Sequence, residues 1–256
     1  MILTDELVDR VHRADIETFR RFSEAIVRAF PEAVEAPVGT GHGLFAAEGS
    51  PLTQVAGFAH RTPSDPEAIE AFFAGHAHDW EVGVTPFTDP STVRALLDRG
   101  YRPEGFEGML AQEVGKSEDF PQVEIVEVGP DLSDWKEASS RAWTENEASD
   151  WDAGGLVETI AVTPARNYVA YVDGVPAAAA SMAEAGDAVL LRGGGTRVPY
   201  RGRGLQTALI ARRLRDAGRG RLAMIGAEPG SASYRNAQRA GFTPLYSTLT
   251  LKRRLS

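Results

Sequence analysis

Thr196-Arg197-Val198-Pro199-Tyr200-Arg201-Gly202-Arg203-Gly204-Leu205-Gln206-Thr207-Ala208-Leu209-Ile210 is the stretch on which the reading of this chain turns. A β-compatible run, 187 to 192, and then Gly193-Gly194-Gly195 precede it. It leads into a helix expected over 204–217, with Leu205, Ala208, Leu209 and Leu214 on one apolar face. Gly202 and Gly204 let the backbone approach a ligand at a helix N-terminus, where unpaired N–H groups and the positive dipole end favour an anion. A pyrophosphate is the natural guest. Arg201 and Arg203 add charge beside it, and Arg212, Arg213 and Arg215 on the helix are candidates for a more distant phosphate.

Other phosphate loops do not fit. A dinucleotide fingerprint needs a third small residue three positions after the second Gly, where Thr207 stands, and no acidic ribose partner follows at the expected distance. A nucleoside triphosphate loop needs a Gly-Lys-Ser/Thr ending, which is absent. Upstream the pattern reads strand 122–128, helix 131–147, strand 167–173, strand 176–184 and strand 187–192. The Asp173-Gly174 and Ala185-Gly186 turns between them mark antiparallel hairpins. Downstream come strand 222–227, helix 231–239 and strand 245–253, so this half runs β-α-β-β-β-α-β-α-β.

Arg201-Gly202-Arg203-Gly204, between a strand and a helix, resembles the acyl-CoA-binding motif of the GNAT superfamily of N-acetyltransferases. Glu228-Pro229-Gly230-Ser231-x-Ser233-x-Arg235-Asn236-Ala237-x-Arg239-Ala240-Gly241-Phe242 resembles the later GNAT motif, an Asn-bearing helix ending at Gly-Phe. The resemblance covers about residues 121–256. It implies that Gly194 to Val198, with Gly195, Thr196 and Val198 as contacts, pair with the pantetheine arm and polarise the thioester carbonyl through a backbone N–H. Arg201, Gly202, Arg203, Gly204, Leu205 and Gln206 would then hold the pyrophosphate, and Asn236 would touch the arm from the other side. Acetyl-CoA is the implied co-substrate, with no metal.

The chain departs from the family at Ala237, where the thiolate-protonating Tyr usually stands. Tyr234, nearly one turn away on the same helix, is the candidate substitute. Solvent protonation, or acyl-CoA binding without rapid transfer, stays open beside it. For the general base, Glu228 after the fifth strand is the first candidate, with Glu184 as another; Glu228 is equally readable as a carboxylate stabilising the following helix N-terminus. Trp143 and Glu145, with Glu147, Asp150 and Asp152 nearby, fall where the resemblance places acceptor-side helices and are candidates for binding a cationic amine. Trp135 and Trp143 also read as core packing, and the acidic residues as solvated surface.

Composition bounds the rest. With 256 residues, 43% hydrophobic and 25% charged, the chain has room for two modest domains with real cores. Having no Cys, it excludes disulfides, thiolate catalysis and Cys-ligated metal centres. No apolar run approaches a membrane span, and the first 30 residues are acidic and amphipathic rather than leader-like, so a cytoplasmic protein is expected. Of 27 Lys and Arg, 14 lie in residues 192–256 with only Asp216 and Glu228 against them, which makes that quarter net +12. The remaining 13 and 34 leave residues 1–191 at net -21. The phosphate-type loop accounts for that charge without nucleic acid. His76-x-His78 lacks a third ligand for a metal.

The N-terminal half reads as a helix over 4–30 capped by Thr4, a loop over 36–43, strands 44–47 and 54–59, a helix to Phe73, strand 80–85, a helix from Asp89-Pro90 to Gly100, and strand 106–114. Leu97-Asp98-Arg99-Gly100-Tyr101-Arg102-Pro103 parallels Gln238-Arg239-Ala240-Gly241-Phe242-Thr243-Pro244 at an offset of 141 residues. The same offset superposes strand 81–84 on 222–225 and helix 67–73 on 208–214. It also sets His60-Arg61-Thr62-Pro63 opposite the Arg-Gly-Arg-Gly loop, where glycines and one N–H donor are missing.

The expectation is therefore an α/β (α+β) chain of two GNAT-like domains, each a mixed, mostly antiparallel sheet flanked by helices. Residues 1–115 form a degenerate copy and 121–256 the acetyltransferase domain, with a boundary at the Lys116–Phe120 connector. The expected activity is transfer of acetyl from acetyl-CoA to a primary amine of a small molecule or peptide, with no nucleic acid or membrane partner. The alternative is a non-catalytic acyl-CoA-binding or regulatory protein. Monomer and homodimer stay open.

Overall fold

A computed structural model describes residues 2–115, 123–143 and 153–255. Contacts divide the chain into two units, Thr4–Met109 with Tyr246–Ser256, and Met1–Leu3 with Leu110–Leu245.

In the first unit, Thr4 accepts the Leu7 amide at 3.2 Å and starts α1 (Asp5–Ala29), with Asp5 and Glu6 in its first turn. Its buried face is Val8, Val11, Ala14, Thr18, Phe22, Ala25 and Ile26, at helical spacing. There follow β1 (Val34–Val38), β2 (Gly41–Phe45), β3 (Gln54–Ala56), α2 (Glu67–Phe73), β4 (Asp79–Val84), α3 (Pro90–Asp98) and β5 (Arg102–Glu113). β1, β2 and β3 pair antiparallel, and β3 pairs parallel with β4 across α2. Asp89 caps α3 by accepting from the Ser91 and Thr92 amides. The core holds Phe58, Phe73, Trp80 and Tyr101. Trp80 stacks on Phe73 at 5.0 Å and donates its indole N–H to Tyr101 Oη at 3.0 Å, which satisfies both buried polar atoms.

One expectation here fails. Residues 36–43, read as loop, supply most of the β1–β2 hairpin, because Pro37 lies in β1, the terminal strand of the sheet, and Gly41 and Gly43 fit where side chains would collide with neighbours.

The second unit contains β6 (Glu124–Val128), α4 (Ser133–Ala142), α5 (Ala153–Ala161), β7 (Arg166–Val172), β8 (Val175–Ala185), β9 (Ala188–Thr196), a 3₁₀ turn at Val198–Tyr200, α6 (Leu205–Ala217), β10 (Leu222–Ala227), α7 (Ala232–Arg239) and the start of β11 (Thr243–Arg254). β6 to β9 form an antiparallel meander, and Asp173 (φ +52) with Gly174 (φ +75) makes the β7–β8 turn in the backbone region Asp-Gly favours. β9 and β10 pair parallel from Leu222↔Ala188 to Ile225↔Leu191. Ala177, Ala178, Ala179 and Ala180 on β8 are all fully buried. Small side chains on both faces let α4 pack on one side, through Ala179, and α6 on the other, through Ala178 and Ala180.

Two differences from the sequence reading concern this unit. α5 was not expected, and the helix expected over 131–147 is α4, Ser133–Ala142, with Trp143 as its C-cap and Glu145 outside the described residues. The last eleven residues group with the first unit, because Leu249–Arg254 pair antiparallel with Val84–Asp79. The connector at 116–120 lies outside the described residues.

The repeat is visible in both units. β3-α2-β4-α3-β5 and β9-α6-β10-α7-β11 share an order, the first strand pair is parallel in each, and Gly100 (φ +88) and Gly241 (φ +92) end the corresponding helices. No described helix is long and apolar enough to cross a membrane.

Candidate functional site

Pairing between β9 and β10 stops at Leu191 and Ile225, while β9 runs on to Thr196. Beyond that point a cavity of about 500 Å³ opens in the second unit. Gly194, Gly195 and Thr196 form one wall; Arg201, Gly202, Gly204, Leu205, Gln206 and Thr207 the loop end. Asn236 and Arg239 with Ala232 and Ser233 on α7 line it too, as do Ala142, Trp143 and Tyr200.

The loop is built by its glycines. Gly202 (φ +78) and Gly204 (φ +76) are left-handed, and Gly204 is the N-cap of α6. No side chain caps this helix and its first turn has no acidic residue, whereas α7 spends Ser231 Oγ on the Tyr234 amide. The first-turn N–H groups of α6 thus present positive charge beside the cavity.

Side chains brace the loop. Arg201 Nε donates to the Thr196 carbonyl at 3.1 Å and its Nη2 to the Ala142 carbonyl at 3.4 Å. Gln206 Nε2 reaches Thr196 Oγ1 at 3.1 Å, tying the start of α6 to the end of β9. Arg197, 5% exposed, donates to the Pro176 carbonyl at 3.0 Å. Arg197 and Arg203 both stack on the Tyr200 ring, at 5.5 and 5.6 Å. On α7, Arg239 donates to Asn236 Oδ1 at 2.7 Å.

Of the expected ligand-contact residues, Gly195, Thr196, Arg201, Gly202, Gly204, Leu205, Gln206, Asn236 and Trp143 come together around this one cavity. Val198 sits in the exposed 3₁₀ turn and Arg203 against Tyr200, both outside its lining. Glu228 is exposed in the turn before α7, where its carbonyl accepts the Ser231 amide at 3.0 Å, and Tyr234 packs against the hydrophobic core; neither lines the cavity. Glu184 stands at the far end of β8, opposite Val189, and pairs with Arg221 at 3.4 Å. Ala237 is fully buried in the core.

Sequence reasoning missed Ala142, Tyr200, Thr207, Ala232, Ser233 and Arg239. Tyr200 and Thr207 lay inside the quoted motif; Ala142 arrives only through the packing of α4. The distant-phosphate role suggested for Arg212 and Arg213 is not met. Arg212 binds Asp216 at 2.9 Å and the Ile125 carbonyl at 2.9 Å, and Arg213 is 1% exposed in the core. Much of the basic C-terminal quarter is spent likewise, Arg221 on the Gly186 and Ala188 carbonyls and Lys252 on Asp79 and Glu81. His76 packs on Phe45 and His78 on Glu48, and no group of three or more His, Cys, Asp or Glu among the described residues could hold a metal.

No protein-family model matches the chain, and no curated protein matches it. Solved structures do. The chain is similar to a GCN5-related N-acetyltransferase from Kribbella flavida, at 19% identity and TM-score 0.64 over 92% of this chain and 95% of that one. It is also similar to a tandem GNAT protein from the clavulanic acid biosynthesis pathway, at 13% identity and TM-score 0.60 over 94% and 95%. The fold is the tandem GNAT fold expected from the two motifs and the internal repeat.

Proposed function

We propose that the chain is an acetyl-CoA-dependent N-acetyltransferase whose acceptor is the primary amine of a small molecule or peptide. The observation that carries this reading is the convergence, on one cavity, of an uncapped α6 N-terminus, the end of β9 that runs on past its pairing with β10, and Asn236 of α7. The residues fit the ligand. The left-handed Gly202 and Gly204 have no heavy atom within 4 Å of where a Cβ would stand, so the loop has open space for a pyrophosphate. Gly195, where a Cβ would stand 2.7 Å from Ala142 Cβ, lets α4 pack close on β9, whose end lines the cavity where an extended arm would lie.

Acetyl-CoA would supply the acyl thioester. The chain's own residues would hold and orient it: the α6 amides and Arg201 at the phosphates, the β9 backbone along the arm, and Asn236 across from it. In the reaction the amine nitrogen forms a bond to the acyl carbon and the C–S bond breaks. The amine loses a proton and the thiolate takes one. A backbone N–H at the end of β9 would stabilise the oxyanion. Glu228 and Tyr234 stay as proposed base and acid only if substrate binding brings them to the reacting atoms, since neither lines the cavity.

A second reading has its own observation. Ala237 is buried where the thiolate acid is usual, and no carboxylate lines the cavity among the described residues, which favours acyl-CoA binding without turnover. Calorimetric titration of acetyl-CoA and CoA into the wild type and Gly204→Glu tests the site, with binding expected in the first and lost in the second. Turnover across an amine panel then separates enzyme from binding protein. A wild type that ignores millimolar CoA overturns both readings.

A further inference from the structure

β8 and β9 pair through Ala178↔Thr196 and Ala179↔Gly195, slip, and resume at Ser181↔Arg192. Gly193 and Gly194 therefore stand together opposite the single residue Ala180. Gly193 has φ +63, the backbone such a bulge requires. A bulge interrupts the ladder, so buried carbonyls beside it must find other donors. Side chains from both faces of the sheet supply them. Trp135, from α4, donates its indole N–H to the Ala180 carbonyl at 3.3 Å. Arg213, from α6, donates Nη1 to the Ser181 carbonyl at 2.9 Å and to the Arg192 carbonyl at 3.4 Å.

Arg213 is an expensive way to do this. Its side chain is 1% exposed, and burial pulls the guanidinium down to about 10, so it is still charged at neutral pH. Its other described bond is Nε to the Leu209 carbonyl of its own helix at 3.1 Å. Leu or Met would fill the volume without desolvating a charge. What they lack is a rigid fork of donors that reaches both strands at the slip. The remaining arm of that fork, Nη2, lies 3.9 Å from where a Cβ on Gly194 would stand, and Gly194 lines the cavity.

We propose that Arg213 is a positioning residue. By clamping the Ser181 and Arg192 carbonyls it fixes the Gly193–Gly194 bulge, and with it the adjoining backbone of Gly195 and Thr196 that the acyl-CoA arm pairs with. Arg213 itself does not line the cavity. The inference rests on the acetyl-CoA reading of that cavity for its ligand, but the clamp is testable without one.

The experiment uses the full chain with Arg213→Gln and Arg213→Lys, measuring amide hydrogen exchange over Gly193–Gly195 without ligand, and CoA affinity by calorimetry. For Arg213→Gln, exchange at the bulge is expected to rise and CoA affinity to fall, each about tenfold, while exchange within α6 holds. Arg213→Lys, keeping charge and one donor, is expected to recover part of both. Unchanged exchange at the bulge overturns the proposal. So does faster exchange with unaltered CoA affinity, the pattern of a merely structural residue. If neither variant folds, the wild-type guanidinium protons decide by NMR: slowly exchanging, resolved signals support the clamp, and a single averaged signal overturns it. A wild type that does not bind CoA removes the acetyl-CoA reading, and exchange at Gly193–Gly195 then judges the clamp alone.

Discussion

The imidazole rings of His12 and His60 lie face to face, centroids 3.7 Å apart and 9° from parallel, with His60 Nε2 3.4 Å from Asp9 Oδ1. Burial, and then the neighbouring His60, push His12 down to about 4. The unfolded chain takes up this proton near pH 6.5 and the folded unit does not, so stability is lost as pH falls from about 6.5 toward 4. His12→Gln is expected to flatten that slope by about 2 kcal/mol, allowing for the partial exposure of the ring. Denaturant unfolding at pH 4.5 and 7.5 checks it, and equal slopes for the two proteins would contradict it.

Asp15 carries the opposite dependence. Burial first, and then Glu107, push its carboxyl up to about 7. The folded unit keeps a proton that the unfolded chain gives up above its ordinary value, so this contribution is present at low pH and is lost as pH rises through about 7. Asp15→Asn is expected to raise the melting temperature by about 2–4 °C at pH 8 and to leave it unchanged near pH 4. Thermal scans at the two pH values decide.

Gly195 has no room for a side chain. A Cβ there would stand 2.7 Å from Ala142 Cβ and 3.1 Å from Trp143 Cδ1. Gly195→Val is expected to destabilise the unit by about 1–3 kcal/mol and to weaken CoA binding by more than about tenfold, since α4 must move or the cavity must fill. Unchanged affinity in a folded Gly195→Val protein would remove β9 from ligand binding.

Glu228→Gln and Tyr234→Phe test the proton-transfer roles suggested by the motif. Because neither side chain lines the cavity, each is expected to slow turnover by less than about threefold, where a working acid or base is worth about a hundredfold or more. Steady-state rates over pH 6–9 measure this, and a hundredfold loss with the pH profile flattened would restore the residue to the mechanism.

Much of the site was legible because its chemistry is local. The helix dipole, the two left-handed glycines and the strand before them all fall within 202–217 or just upstream, and period and turn chemistry report such features directly. Glu228 and Tyr234 were less legible for a related reason: sequence places them near α7 but not on a face of it. Tyr234 turned to the core, and Glu228 stayed in the turn before α7.

The chain's own sequence determined the order of elements from β7 onward, the repeat at an offset of 141 residues and the left-handed glycine loop before α6, because each is set by neighbours within a few residues. Only the tertiary structure decided that the C-terminal strand pairs with Asp79–Val84, that most of the +12 quarter's arginines serve carbonyls and carboxylates, and that Arg213 spans a bulge in β9. Those outcomes depend on which distant backbone groups are left without partners, and a buried carbonyl acquires its need for a donor only when the sheet around it has formed.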